Sequence, residues 1–238
     1  MTQTMVPVIF DLDGTLVDPA GGITGGIAAA LDGLGLPIPE QHVLDSMVGP
    51  KLSDSLEHLA KVPAAKVDEV IGRYRSHYRS VGIGQSLLYP GIRELLEFFA
   101  ESRRPVAVAT QKPQGLARLV LEHHGIAGVF ASICGASDDE SMGANTAPGK
   151  VEIVGTALAT LDSQPAVMVG DRHHDVAGAM ANGIDCIGVS WGFALHGELQ
   201  EAGAVAVVDT AAQLLKKIEE LDAVRAAALS EVQNDGSL

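Results

Sequence analysis

Basic residues are scarce in this chain of 238 residues: 16 Lys and Arg stand against 30 Asp and Glu, a formal charge of -14. That balance opposes the counterion release that drives binding to nucleic acids, so DNA and RNA polymers are discounted as partners. Cysteine is nearly absent too. Cys134 and Cys186 each lie in an apolar run, which excludes a disulfide framework and reads as two small buried side chains in a reducing compartment. No stretch approaches the roughly 18 apolar residues of a membrane span, and the N-terminal "MTQTMVPVIFDLDG" has no basic start. A soluble cytoplasmic protein with no membrane partner is expected. Internal repeats of useful period are missing as well. No G-x-G-x-x-G follows a strand-like run, which removes a dinucleotide-binding enzyme. "GANTAPGKV" (143–151) fails as a P-loop: five residues separate Gly143 from Gly149 where four are required, and Val151 stands where Ser or Thr should bind Mg2+.

What the chain does have is apolar content, 47%, enough for a full core in one large domain or one domain with a smaller insertion. Short runs rich in Val, Ile and Ala occur at 6–11, 105–110, 166–170, 186–190 and 204–208, and they read as strands buried on both faces. Segments of helical period lie between most of them, at 92–102, 115–125, 151–161 and 175–183. The alternation predicts an α/β fold, a doubly wound parallel sheet with right-handed crossovers. Residues 19–87 break the rhythm with helical patterns and no convincing buried strand, and "LLYPGI" (87–92) marks the return. The expected organisation is a core of 1–18 and 88–225, an all-helical insertion at 19–87, and a flexible tail at 226–238.

In open parallel sheets ligands bind beyond the carboxyl ends of the strands. Asp11 and Asp13 follow the first run, Thr110 ends the second, and Asp171 follows "AVMVG", with Asp175 opening the next helix. These residues are therefore expected to converge on one crevice. Clustered carboxylates repel by roughly 3 kcal/mol per pair at about 5 Å. A proton, a cation or both must offset that. Sparse oxygen ligands from two loops suit Mg2+, which shares its coordination with a phosphate. A transition-metal site using His173 and His174 is the rival, and packing of the two rings within the loop is the simpler account. A cation would also divide the pair: Asp11 ionised and nucleophilic, Asp13 pointing away and able to carry a proton. Lys150, just before an apolar helix, and the Thr110 hydroxyl complete a set suited to phosphate.

"DLDGT" after an apolar strand, Thr after "VAVA", Lys before a helix and "GDRHHD" after "AVMVG", in that order, resemble the four motifs of the haloacid dehalogenase superfamily over roughly residues 6–222. The insertion is similar to the helical C1 cap of its phosphoglycolate phosphatase-like members. The resemblance implies that Asp11 attacks phosphorus to form an aspartyl-phosphate, while Asp13 protonates the leaving alcohol and later activates water. It implies Mg2+ held by Asp11, the Asp13 backbone carbonyl and Asp171, with Asp175 in support, and Thr110 and Lys150 on the phosphoryl oxygens. Gln111, where many relatives have Ser or Asn, and Ala147 to Gly149, which replace a more polar approach to Lys150, depart from the pattern. Within the insertion, "GPKLSDSL" (49–56) resembles a segment that faces the active site, so Lys51 is a candidate for an anionic substrate, and "GGITGG" (21–26) suggests a mobile entrance.

The expected activity is phosphatase action on a small phosphorylated metabolite. Phosphoglycolate, a nucleoside monophosphate and a sugar phosphate remain open as substrates, and a phosphomutase of similar fold remains an alternative reaction. A phospho-accepting signalling module also combines Mg2+, Asp, Thr and Lys. A first-strand acid pair and nearly 70 inserted residues speak against it.

Overall fold

The computed structural model describes residues 5–19, 21–137, 149–161 and 166–235. Its strands are β1 (Val8–Phe10), β2 (Val17–Asp18), β3 (Leu87–Leu88), β4 (Val106–Pro113), β5 (Ser132–Ala136), β6 (Val167–Gly170), β7 (Asp185–Val189) and β8 (Ala206–Val208). Six of them form one parallel sheet in the order β5-β4-β1-β6-β7-β8. Strand order reverses around β1: the chain moves outward through β4 and β5, then returns to lay β6 on the opposite side. The crevice that such a reversal opens lies beyond the carboxyl ends of β4, β1 and β6.

The insertion carries α1 (Gly22–Asp32), α2 (Gln41–Ser46), α3 (Leu52–His58), α4 (Ala64–His77), a π-helical turn at Tyr78–Gly82, and α5 (Ile83–Gln85). The core adds α6 (Ile92–Ser102), α7 (Gln114–His123), α8 (Lys150–Thr160), α9 (His173–Ala181), α10 (Glu198–Ala202) and α11 (Ala211–Asp235). Among the described residues no helix is long and apolar enough to cross a membrane.

Strand side chains alternate between the two faces of the sheet, and each face feeds its own core. Val8 and Phe10 of β1 join Val106, Val108, Val167 and Val169 in one cluster, which continues through Ile27, Leu31 and Tyr78 of the insertion. Ile9, Ala107, Ala109 and Met168 face the other way, onto Ile153 and Val154 of α8 and Val176 of α9. Burial on both faces explains why these strands read as unbroken apolar runs. Cys134 and Cys186 are free and buried, as expected.

The chain leaves and re-enters the core through neighbouring strands, since β2 and β3 pair antiparallel, Val17 with Leu88 and Asp18 with Leu87. The stretch 21–26, read as a mobile entrance, holds the N-cap Gly21 and the first turns of α1. Their glycines allow close packing, because a Cβ on Gly22 would lie 2.7 Å from the Gly82 carbonyl oxygen and one on Gly26 would lie 3.2 Å from the Tyr74 ring. The stretch read as a flexible tail begins at residue 226. Residues 226–235 continue α11, whose inner face holds Asp222. That carboxylate accepts the Val6 N–H at 2.7 Å and pairs with Arg104, whose guanidinium donates to the Val6 carbonyl at 2.8 Å. The clamp ties the C-terminal helix to the lead-in of β1. A further strand, β5, and the extension of β4 to Pro113 were not foreseen from the sequence.

Candidate active site

Asp11 is the first residue past β1, and its N–H donates to the Val169 carbonyl at 2.9 Å, which locks it to the end of β6. The chain then turns on Gly14 at φ 87°, a conformation in which a Cβ is strained. Such a Cβ would also collide with Oδ2 of Asp171, so the turn and the acid beyond β6 are packed as one unit. Asp171 is fully buried; Thr15 Oγ1 donates to its Oδ1 at 3.2 Å and the Phe193 N–H to its Oδ2 at 2.8 Å. Asp175, in the first turn of α9, accepts the Arg172 N–H at 3.0 Å. Asp11, Asp171 and Asp175 each bring one carboxylate oxygen within 4.8 Å of the others.

Lys150 answers part of that charge. Its Nζ lies 2.6 Å from Asp11, 2.6 Å from Asp175 and 2.7 Å from the Ala109 carbonyl, so all three ammonium donors are engaged. Burial alone would lower its pKa, but the Asp11 and Asp175 charges raise it, and the ammonium stays protonated. Burial pushes Asp11 up to about 7 against the pull of Lys150. Asp171 is raised well above the ordinary carboxylate range by burial, then by Asp175 and Asp11. With all three carboxylates ionised, one ammonium would leave two negative charges, and each pair would repel by about 3 kcal/mol at this spacing, a repulsion that adds to burial in raising Asp11 and Asp171 in the absence of a cation. A divalent cation with oxygen ligands fits that donor set and that charge.

Asp13 takes no part in the three-acid cluster through its side chain. It pairs instead with Lys112, whose Nζ donates to Oδ2 at 2.6 Å and sits 4.4 Å from the centroid of the Tyr78 ring. The sequence reading missed Lys112. Thr110 Oγ1 accepts the Lys112 N–H at 3.2 Å, where the register of β4 against β5 shifts between Ala109 and Pro113. A cavity of about 170 Å³ opens over these groups. Asp11, Asp13, Thr110, Gln111 and Lys112 line it from the core, and Lys51, Ser53 and Tyr74 from the insertion. Lys150, expected on the phosphoryl oxygens, lies buried outside that lining with its ammonium donors already engaged, and Asp171 and Asp175 lie outside it too. The approach to Lys150 up to position 148, Ala147 included, falls outside the described residues.

The two histidines after Arg172 pack against each other with centroids 3.8 Å apart and ring planes tilted by 48°, and His173 Nδ1 lies 2.8 Å from Glu198. Burial, then His173, lowers His174 to about 4. Neither histidine belongs to the metal-competent group among the described residues. Arg172, unforeseen in the sequence, spans to the insertion and donates to the Val48 carbonyl at 3.1 Å.

Residues 8–189 match the family described as haloacid dehalogenase-like hydrolase. The chain belongs to that family. Among curated relatives, the tyrosine-protein kinase PtkA of Mycobacterium tuberculosis is 42% identical over 78% of this chain and 62% of its own length. The chain therefore spans under two thirds of that relative. A 5'-nucleotidase of Pseudomonas aeruginosa is 35% identical over 81% of this chain and 86% of its own. A phosphoglycolate phosphatase of Agrobacterium fabrum is 33% identical over 78% and 80%. In three dimensions, a predicted phosphatase from Clostridium acetobutylicum superposes with a TM-score of 0.82, at 33% identity, covering 91% of this chain and all of that one. The haloacid dehalogenase-like architecture is thus common to sequence and fold.

Proposed function

We propose that this protein is a cytoplasmic, Mg2+-dependent phosphoric monoester hydrolase acting on a small phosphorylated metabolite, with Asp11 as nucleophile and residues 19–87 as a cap. One observation carries the reading: Asp11 alone belongs both to the three-carboxylate group and to the cavity wall, among the described residues. A phosphate seated in the cavity would meet its carboxylate at the edge of the cation site.

Asp11 and Asp171 would hold Mg2+ with the Asp13 backbone carbonyl, and Asp175 would support the site through Lys150. When bound, Mg2+ supplies charge neutralisation for the phosphoryl oxygens. Lys150 orients the Asp11 carboxylate, and the Thr110 hydroxyl and Gln111 amide hold phosphoryl oxygens. Asp11 attacks phosphorus, an O–P bond forms, and the bond to the leaving oxygen breaks as Asp13 gives that oxygen its proton. Water then attacks the phosphorus of the aspartyl-phosphate, passes a proton to Asp13, and inorganic phosphate leaves with Asp11 regenerated. Lys51 meets the leaving group from the cap side.

The test is phosphate release from a panel of small phosphomonoesters, nucleoside monophosphates included, with and without Mg2+. Turnover is expected only with Mg2+, and Asp11→Asn is expected to abolish it with the fold intact. Normal turnover by that variant refutes the nucleophile. The 42% relative named as a tyrosine kinase motivates a second reading, phosphoryl transfer onto a tyrosine hydroxyl. Transfer of labelled phosphate from ATP to a tyrosine peptide, without release from the monoester panel, would favour it.

A further inference from the structure

Arg172 is a buried guanidinium that the reaction just described does not use. It follows Asp171 beyond the carboxyl end of β6, yet its side chain leaves the acid loop and crosses to the cap. Nε donates to Glu198 Oε1 at 2.9 Å, and Nη1 donates to the Val48 carbonyl at 3.1 Å. Glu198 is itself held by the N–H groups of His173 at 2.9 Å and Leu195 at 3.0 Å, so the guanidinium is anchored in the core before it reaches the cap. On the cap side the contact falls on a segment that belongs to neither neighbouring helix. Residues 47–51 connect α2 to α3, and the chain passes Gly49 at φ 98°, where a Cβ would lie 3.5 Å from Arg172 Cγ. The stem of the arginine thus lies against the turn that its tip bonds. Val48 is 1% exposed, so its carbonyl would stay unsatisfied if that bond were lost. The neighbouring residues Met47, Gly49, Pro50, Lys51, Leu52 and Ser53 line the cavity.

We propose that Arg172 is the positioning residue that holds segment 47–53 over the cavity, and that this hold sets affinity for the leaving group and not for the phosphoryl end. The planar fork of the guanidinium reaches one acceptor on the core and one on the cap in a single fixed geometry. With both bonds made, the cap wall is in place before substrate arrives. Without them the segment is seated for only a fraction of the time, and apparent affinity falls by that fraction. Bound substrate restores the seating, so the chemical step proceeds at its usual rate. The inference rests on the hydrolase reading and adds what fixes the cap wall of its site.

The experiment adds p-nitrophenyl phosphate to the monoester panel and assays wild type, Arg172→Met and Arg172→Lys with Mg2+ on whichever member wild type turns over fastest. Inorganic phosphate, which has no leaving group, serves as the competitive inhibitor. Arg172→Met is expected to raise KM about tenfold, the worth of one charge-assisted hydrogen bond, with kcat and the Ki of inorganic phosphate within about twofold of wild type. Amide hydrogen exchange at residues 47–53 should quicken about tenfold in the same variant, with α4 unchanged. Arg172→Lys keeps the charge without the fork, is expected to show the same KM increase attenuated, and carries the comparison if the Met variant does not fold. A parallel rise in KM and Ki, a loss confined to kcat, or a shifted Mg2+ requirement overturns the positioning role while leaving the hydrolase reading standing. Unchanged exchange at 47–53 overturns the hold itself. A wild type that releases phosphate from no member of the panel overturns both readings.

Discussion

Gly14→Ala separates backbone strain from damage to the acid cluster. The new methyl would meet two obstacles: φ at 87°, and the Asp171 carboxylate, whose Oδ2 it would overlap. The first costs about 1–2 kcal/mol in any protein. The second forces the Asp171 carboxylate back by roughly 1 Å, a displacement that in a preorganised site can cost about 100-fold in rate. Two other glycines isolate the contributions. Gly35 has φ 63° with open space around its Cβ position, and Gly25 is an exposed helical residue with open space and no positive φ. Gly35→Ala should lose about 1–2 kcal/mol of stability with wild-type activity, and Gly25→Ala should gain about 0.5–1 kcal/mol. Gly14→Ala alone should combine the stability loss with a rate loss near 100-fold and a higher Mg2+ requirement. Thermal melts and phosphate release titrated with Mg2+ read both quantities. If Gly14→Ala matched Gly35→Ala in activity and Mg2+ dependence, the packing of the turn against Asp171 would not govern the site.

The clamp of the C-terminal helix makes a second prediction: Arg104→Met strands the buried Asp222 carboxylate and should cost about 3–5 kcal/mol in urea unfolding. Adding Asp222→Leu should return part of that loss, whereas additive losses would refute the pairing argument. Glu198 gives a pH prediction. Burial would raise its pKa, but the His173 and Leu195 N–H groups and Arg172 hold it down at about 2. Its stabilisation is therefore present in full above about pH 5 and lost as pH falls through the folded value. Glu198→Gln should melt lower than wild type at neutral pH, with the difference shrinking on acidification; a gap that stayed constant down to the onset of acid unfolding would contradict the assigned partners.

The acids were legible because their position is a consequence of the sheet. A parallel strand buried on both faces must be apolar, so the first polar residues after it mark its carboxyl end, and strands flanking one another bring those ends together. Asp11, Thr110 and Asp171 follow from three such runs that became the neighbours β1, β4 and β6. Strand β5 escaped notice for the complementary reason. It lies at the sheet edge with only Ile133 and Cys134 buried between Ser132 and Gly135, so the apolar run around Cys134 is too short and interrupted to read as a strand. The continuation of α11 past residue 225 was hidden by its polar, alanine-rich composition, which gives no apolar face to read.

Lys112 was illegible because its burial arises from an irregularity. Two residues past Thr110, a lysine in "TQKP" reads as a loop charge. The register shift between Ala109 and Pro113 keeps the chain in the sheet and turns that side chain onto Asp13. The result is a second ion pair beside the first, and the two do opposite things with one short sequence. Lys150 gathers Asp11 into the group suited to a cation, whereas Lys112 draws Asp13 away from it. Two carboxylates two residues apart thereby acquire different neighbours, as the proposed roles of Asp11 and Asp13 would require.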